Sequence, residues 1–171
     1  MQPIEYQQFE NMLRSAKRAW HLELRDTYNV EFEKAPLDRW LRGEPDDFAW
    51  LDDWLRFIRE LTVSGVSVER LRVVSEPHTD YTRWSLAVTR LNVAAGEEVR
   101  YLPRQNTNDL SFPEEDCWLL GEDTLILSLF KPDGGSAGFA VEPDPQKVAR
   151  YRALRDAAWP RGVPYGDYLS R

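Results

Sequence analysis

The stretch RVVSEPHTDY, residues 72–81, places a hydroxyl, two carboxylates, an imidazole and a phenol directly after an apolar run. Ser75, Glu76, His78, Asp80 and Tyr81 are the side chains that general acid–base chemistry or polar ligand binding uses. A second run, EVRYLP, delivers Arg104 immediately beyond it. In an open α/β sheet, ligands bind just past the carboxyl ends of parallel strands. Ser75, Glu76, His78, Asp80, Tyr81 and Arg104 therefore form the candidate ligand- or partner-binding set, with the N–H groups at the start of the following helix at the same edge. A plainer reading has equal physical grounds: Pro77 stops a strand, Thr79 or Asp80 caps the next helix, and His78 lies in solvent.

Other reactive types lack the spacing their chemistry requires. His21 and His78 are the two histidines and Cys117 is the single cysteine, which are too few ligands for a zinc enzyme. His21 and Glu23 make an H-x-E without the P-C-x-x-C that a deaminase adds. DGGSAG, residues 133–138, lacks the GK[ST] of a phosphate-binding loop and reads as a hairpin turn. No serine stands in G-x-S-x-G, and Cys117 lies within an apolar strand, the setting of inert packing. No catalytic residue, metal ligand or cofactor is assigned on these grounds.

The elements that would position these groups follow from periodicity. Tyr6, Phe9, Leu13, Ala16 and Trp20 recur at spacings of three and four, predicting one face of a helix. HLEL, residues 21–24, either continues it or forms a short strand. Pro36, Gly43 and Pro45 point to an irregular connection over 25–47, with at most a helical turn near Leu37 to Leu41. Asp46 or Asp47 is expected to cap a helix ending at Gly65, with Phe48, Leu51, Leu55 and Ile58 as one stripe and Trp50, Trp54, Phe57 and Leu61 as another. Such a helix is either sunk in its own core or offers aromatic anchors to a partner.

RLRVV, residues 70–74, is a strand; Tyr81, Trp84, Val88 and Leu91 mark a helix; EVRYL, residues 98–102, is the next strand. This is the βαβ unit, with parallel strands and a right-handed crossover. CWLLGEDTLILSLF, residues 117–130, reads as an antiparallel hairpin, FAVEP as a further strand, and Pro145 opens a last helix burying Val148, Tyr151, Leu154 and Ala158. The expected fold class is α/β: one domain over 1–171, helical through 66, then a mixed sheet of one parallel βαβ unit plus antiparallel hairpin and strand, flanked by helices.

At 171 residues the chain can bury its own core. Acidic residues outnumber basic ones 29 to 22, a net charge of -7, which opposes unaided binding to DNA. No stretch of about eighteen apolar residues suggests a membrane span. The start, MQPIEYQQFENML, lacks the features of a signal peptide, so a cytoplasmic location is expected.

RLRVVSEPHTDYTRWSLAVTRLNVAAGEEVRYLPR, with DCWLLGEDTLILSLF, GFAVEPDP, AAWPRGVPYGDYL and the N-terminal FENMLRSAKRAWHLELRDTY, resembles a family of actinobacterial proteins carrying a domain of unknown function, many encoded beside helix-turn-helix regulators of the Streptomyces type. That resemblance implies a non-catalytic accessory or sensor protein associated with a transcription regulator. Two alternatives stand beside it: a hydrolase or phosphate-handling enzyme using His78 with Glu76, Asp80 and Arg104, and an acidic inhibitor of a DNA-binding protein. The element order also looks like one half of a phospholipase D-type domain, without its H-x-K-x4-D motif. Oligomeric state is left open.

Overall fold

The structure, a computed structural model, describes all 171 residues. Strand β1 (Gln2–Ile4) leads into helix α1 (Tyr6–Ser15), where Glu5 and Gln8 form a capping box. The helix buries Phe9 and Leu13 and stops short of the expected face: Ala16 is extended, and Trp20 belongs to strand β2 (Arg18–Glu23). The three-and-four spacing runs on by coincidence, because backbone pairing on both sides of β2 outweighs helical continuation. HLEL is thus mostly strand.

Helix α2 (Glu31–Leu41) replaces the expected irregular connection. Pro36 lies in its interior, where it forfeits one backbone bond but buries its ring. Asp46 and Asp47 do accept backbone N–H groups, from Phe48 and Ala49, but they head a 3-10 turn; helix α3 (Asp52–Val63) begins after it. Leu55, Phe57, Ile58 and Leu61 of α3 are buried, Ile58 and Leu61 completely, each such side chain contributing about 1.5–3 kcal/mol. The tryptophan-rich helix is therefore packed on its own core, with Trp50 and Trp54 left half-buried.

Strand β3 (Ser67–Val74), helix α4 (Asp80–Ala94) and strand β4 (Glu98–Pro103) form the expected parallel unit, with Arg70 opposite Val99 and Val74 opposite Pro103. Gly96 closes α4 at φ +106°, and a Cβ there would lie 2.7 Å from Thr62 Oγ1, so glycine is required twice over. Strands β5 (Cys117–Leu120) and β6 (Thr124–Phe130) make the expected hairpin, and β7 (Ser136–Glu142) continues it antiparallel. Asp144 caps helix α5 (Pro145–Ala158), which buries Val148, Tyr151, Leu154 and Ala158; strand β8 (Val163–Pro164) and helix α6 (Tyr165–Leu169) follow.

All eight strands form one open mixed sheet, in the order β1-β7-β6-β5-β2-β3-β4-β8. The N-terminal part, read as helical, thus supplies a central strand: β2 runs parallel to β3 and antiparallel to β5. Trp20 and Leu22 on one face of β2 join a core with α5, while Ala19 faces the core beneath α1, α3 and α4. His21 and Glu23 share the face of Ala19, by the alternation of a strand. No helix is long and apolar enough to cross a membrane.

Candidate ligand-binding cleft

The strand ends bring together four of the six predicted residues. Ser75 donates its N–H and hydroxyl to the two carboxylate oxygens of Asp26, at 2.8 and 2.7 Å. Arg104 Nη2 donates to the carbonyls of Leu24 and Val73, at 2.6 and 3.2 Å. Glu76 accepts from Tyr168 Oη at 2.7 Å and from Gln105 Nε2 at 3.2 Å. His78 Nδ1 lies 3.0 Å from the Ser75 carbonyl and its Nε2 lies 2.9 Å from Tyr168 Oη. Thr79 caps α4 by accepting from Thr82 N–H. The histidine is half-buried, not in solvent, because Tyr168 of α6 covers it.

Asp80 and Tyr81 turn away. Asp80 pairs with Arg83 on the surface, and Tyr81 donates to Glu33 Oε2 at 2.8 Å on the far side of α4's first turn. At the strand ends the polar groups bond to one another, tying the β2 exit, β3, β4 and α6 together. That is the work of a joint.

A different constellation lies under α1 to α4, on the face of the sheet where an apolar layer would be expected. Strand register sets His21 beside Arg70 and Glu23 beside Arg72. Arg72 Nε stands 2.9 Å from Glu23 Oε2, and Arg70 Nη1 is 3.6 Å from the same oxygen. Arg70 also donates to Glu97 Oε1 at 2.6 Å, and Asn92 donates to Glu97 Oε2 at 2.9 Å. Two carboxylates and two guanidiniums thus neutralise one another. Although close, Glu23 Oε2 and Arg72 Nε are not aligned as a hydrogen bond, so both atoms, like His21 Nδ1, are buried with unused bonding capacity.

The electrostatics follow from this burial. Desolvation alone would raise the Glu23 carboxyl, but Arg72 and Arg70 outweigh it and hold it at about 2. Desolvation lowers His21 to about 3, Arg70 and Arg72 adding to the effect and Glu23 opposing it, so the imidazole is neutral at pH 7. It stacks on Trp118, ring centroids 4.1 Å apart.

Above this floor opens a cavity of about 800 Å³, and a neighbouring lobe of about 340 Å³ shares Tyr6, Phe32, Glu33, Trp54 and Tyr81 with it. The walls are largely aromatic. Trp54 meets Trp118 edge-on at 6.1 Å, Phe9 stacks on Phe139 at 4.1 Å, and Tyr28 leans on Tyr81 at 5.5 Å. Two further carboxyls face in. Asp116, 1% exposed, accepts from Leu24 N–H and Tyr28 Oη, and its burial pushes it up to about 6. Burial also raises Glu33, against the pull of the Tyr81 hydroxyl. Neither carboxyl has an ion-pair partner, and nowhere do three His, Cys, Asp or Glu side chains group to hold a metal ion.

Sequence reasoning placed Tyr81 in the candidate set and His21 and Glu23 among the motif residues, but missed that these belong together. The available signal was charge at alternate positions, H-x-E and R-x-R, interleaved with the apolar Leu22, Leu71 and Val73. Residues 7–170 match the family model of DUF6879, a domain of unknown function. No curated protein matches the chain.

Proposed function

Because the chain belongs to the DUF6879 family, whose description names no activity, we propose from its geometry that it is a non-catalytic sensor domain that binds a small molecule in the cleft and acts as accessory to a helix-turn-helix regulator. The observation that carries this reading is the aromatic cavity of about 800 Å³ over a buried floor with unsatisfied polar atoms. Ligand sites are concave, mostly apolar and carry a few convergent polar groups, with volumes of roughly 300–1,000 Å³. Supporting the absence of catalysis, the Cys117 thiol is buried and pushed well up, and the His78 nitrogens face a carbonyl and Tyr168. The regulatory half rests on the resemblance noted above, with a net charge of -7 suited to a basic partner surface. A cytoplasmic location belongs to the same proposal. So does the likeness to half a phospholipase D-type domain; lacking H-x-K-x4-D, the protein is expected to leave phosphodiesters intact.

The test is a thermal-shift screen of small molecules of all charge classes against wild type and Trp54→Ala, followed by a pull-down from the native host that scores retained helix-turn-helix regulators. Compounds that stabilise wild type by several degrees and lose this in the variant are expected, as is a regulator whose retention changes when the cleft is filled. Stabilisation by no compound, or tight salt-sensitive binding of the purified protein to DNA alone, would overturn the reading.

A further inference from the structure

We infer that the cleft takes an organic cation, an amine or quaternary ammonium on a flat apolar body, seated among Trp54, Trp118, Tyr28, Glu33 and Asp116. The inference rests on the sensor reading and supplies its ligand class. It begins with a balance of charge. On the floor, Glu23 and Glu97 are matched by Arg70 and Arg72. That leaves Glu33 and Asp116 inside the cavity without a cation, and Glu5 at the rim adds the same sign. The interior is therefore negative by whatever fraction of these two carboxyls is ionised.

The walls select for the same ligand. Aromatic faces are the negative ends of ring quadrupoles and attract ammonium or guanidinium groups within about 6 Å. One wall already does so from outside, where the Arg25 guanidinium lies 4.4 Å from the Phe130 ring centre. A bare metal ion is a poor fit, since it needs several converging oxygen ligands and no three carboxylate, imidazole or thiol groups gather at one point. An anion would meet Glu33 and Asp116, and the guanidiniums of Arg70 and Arg72, which line the smaller lobe, are already matched by Glu23 and Glu97. A neutral ligand would leave both carboxyls in the unfavourable setting that raises them. An amine would pair with them and also meet Glu23 Oε2, which lacks an aligned donor.

Four probes of one shape and different charge decide the matter: phenethylamine, benzyltrimethylammonium, phenylacetate and 2-phenylethanol, titrated calorimetrically at pH 7.5. At least one cation is expected to bind ten-fold or more tighter than phenylacetate and phenylethanol. Glu33→Gln, and independently Asp116→Asn, should each weaken it about ten-fold, with circular dichroism confirming a native fold. The charge series on wild type decides alone should either variant fail to fold. Phenylacetate or phenylethanol binding as tightly as the cations would overturn the cation and leave the sensor reading standing. Failure of all four probes up to millimolar concentration would also overturn the cation, whereas the sensor reading falls only if the wider screen finds no stabilising compound.

Discussion

His21 lies flat against Trp118, its register partner across β2 and β5, with ring planes 12° from parallel. Two residues before that indole, Asp116 is displaced in the opposite sense. A histidine lowered from 6.5 to about 3 binds its proton more readily when unfolded, so it makes stability rise with pH across that interval. A carboxyl raised from 3.8 to about 6 holds its proton more readily when folded, so it makes stability fall with pH from 3.8 to 6.

Between pH 4.5 and 6 the two effects oppose each other, and wild-type stability should be nearly level. His21→Asn should leave a decline of about 2 kcal/mol across this window, to which the raised Glu33 contributes, and Asp116→Asn a smaller rise, since Glu33 still opposes it. Urea denaturation at four pH values reads both slopes. Identical slopes in all three proteins would contradict the assignment. Glu23, Arg25 and Tyr28, which also act on Asp116, remain in place throughout.

Removing one partner of the floor network should cost far more than removing a pair. Glu23→Gln leaves the Arg72 guanidinium, whose side chain is only 11% exposed, without its nearest carboxylate, at a cost of about 3–5 kcal/mol. The double variant Glu23→Leu with Arg72→Met, which keeps the Arg70–Glu97 pair, should be more stable than either single change. Additive losses in urea midpoints would show that the pair is not coupled.

At the strand ends, the expected effect is on stability alone. Arg104→Ala removes a charged donor from the carbonyls of Leu24 and Val73 and should cost about 1–3 kcal/mol. Tyr168→Phe should cost about 1 kcal/mol through Glu76. Cleft binding of benzyltrimethylammonium should be unchanged in both. Lost binding with stability intact would return Ser75, Glu76, His78 and Arg104 to the centre of the site.

The Cys117 thiol should be silent in the folded protein. It is wholly buried, and burial, with Asp116 beside it, pushes its ionisation well above the ordinary thiol range. Ellman's reagent at pH 8 should label it only after denaturation. Stoichiometric reaction within minutes under native conditions would show that the β5 core opens.

The βαβ unit was legible because periodicity switches from two to three-and-a-half at Pro77 and Thr79, where the chain itself changes element. Pro145, Gly121 and the apolar runs around it marked α5 and the hairpin in the same way. β2 was only half legible: HLEL admitted a strand as one of two readings, but no glycine or proline separates it from α1, and Ala16 and Trp20 fall by chance on the helical spacing. α2 was hidden by Pro36, read as a breaker although the helix tolerates it. The cleft was illegible for a different reason. Its floor comes from β2, β3 and β5 and its walls from α1 to α4 and from β6 and β7, so no short stretch contains it. Tyr81 stands next to Asp80 in sequence, yet a helix turns successive side chains about 100° apart, and only the tyrosine faces inward.

β2 completes its backbone ladder with Ser67–Val74 on one side and Cys117–Leu120 on the other. During synthesis, its six residues must wait for a partner about 100 positions downstream before the sheet is continuous, so the N-terminal third cannot mature by itself. The sheet of this topology is built largely from pairings between distant segments, which slows folding. The floor of the cleft is laid on that same strand: Glu23 meets Arg72 through the β3 pairing, and His21 meets Trp118 only through the β5 pairing. A molecule that fills the cleft therefore holds the entire chain in its native state, and its occupancy should be felt as protein lifetime as much as shape.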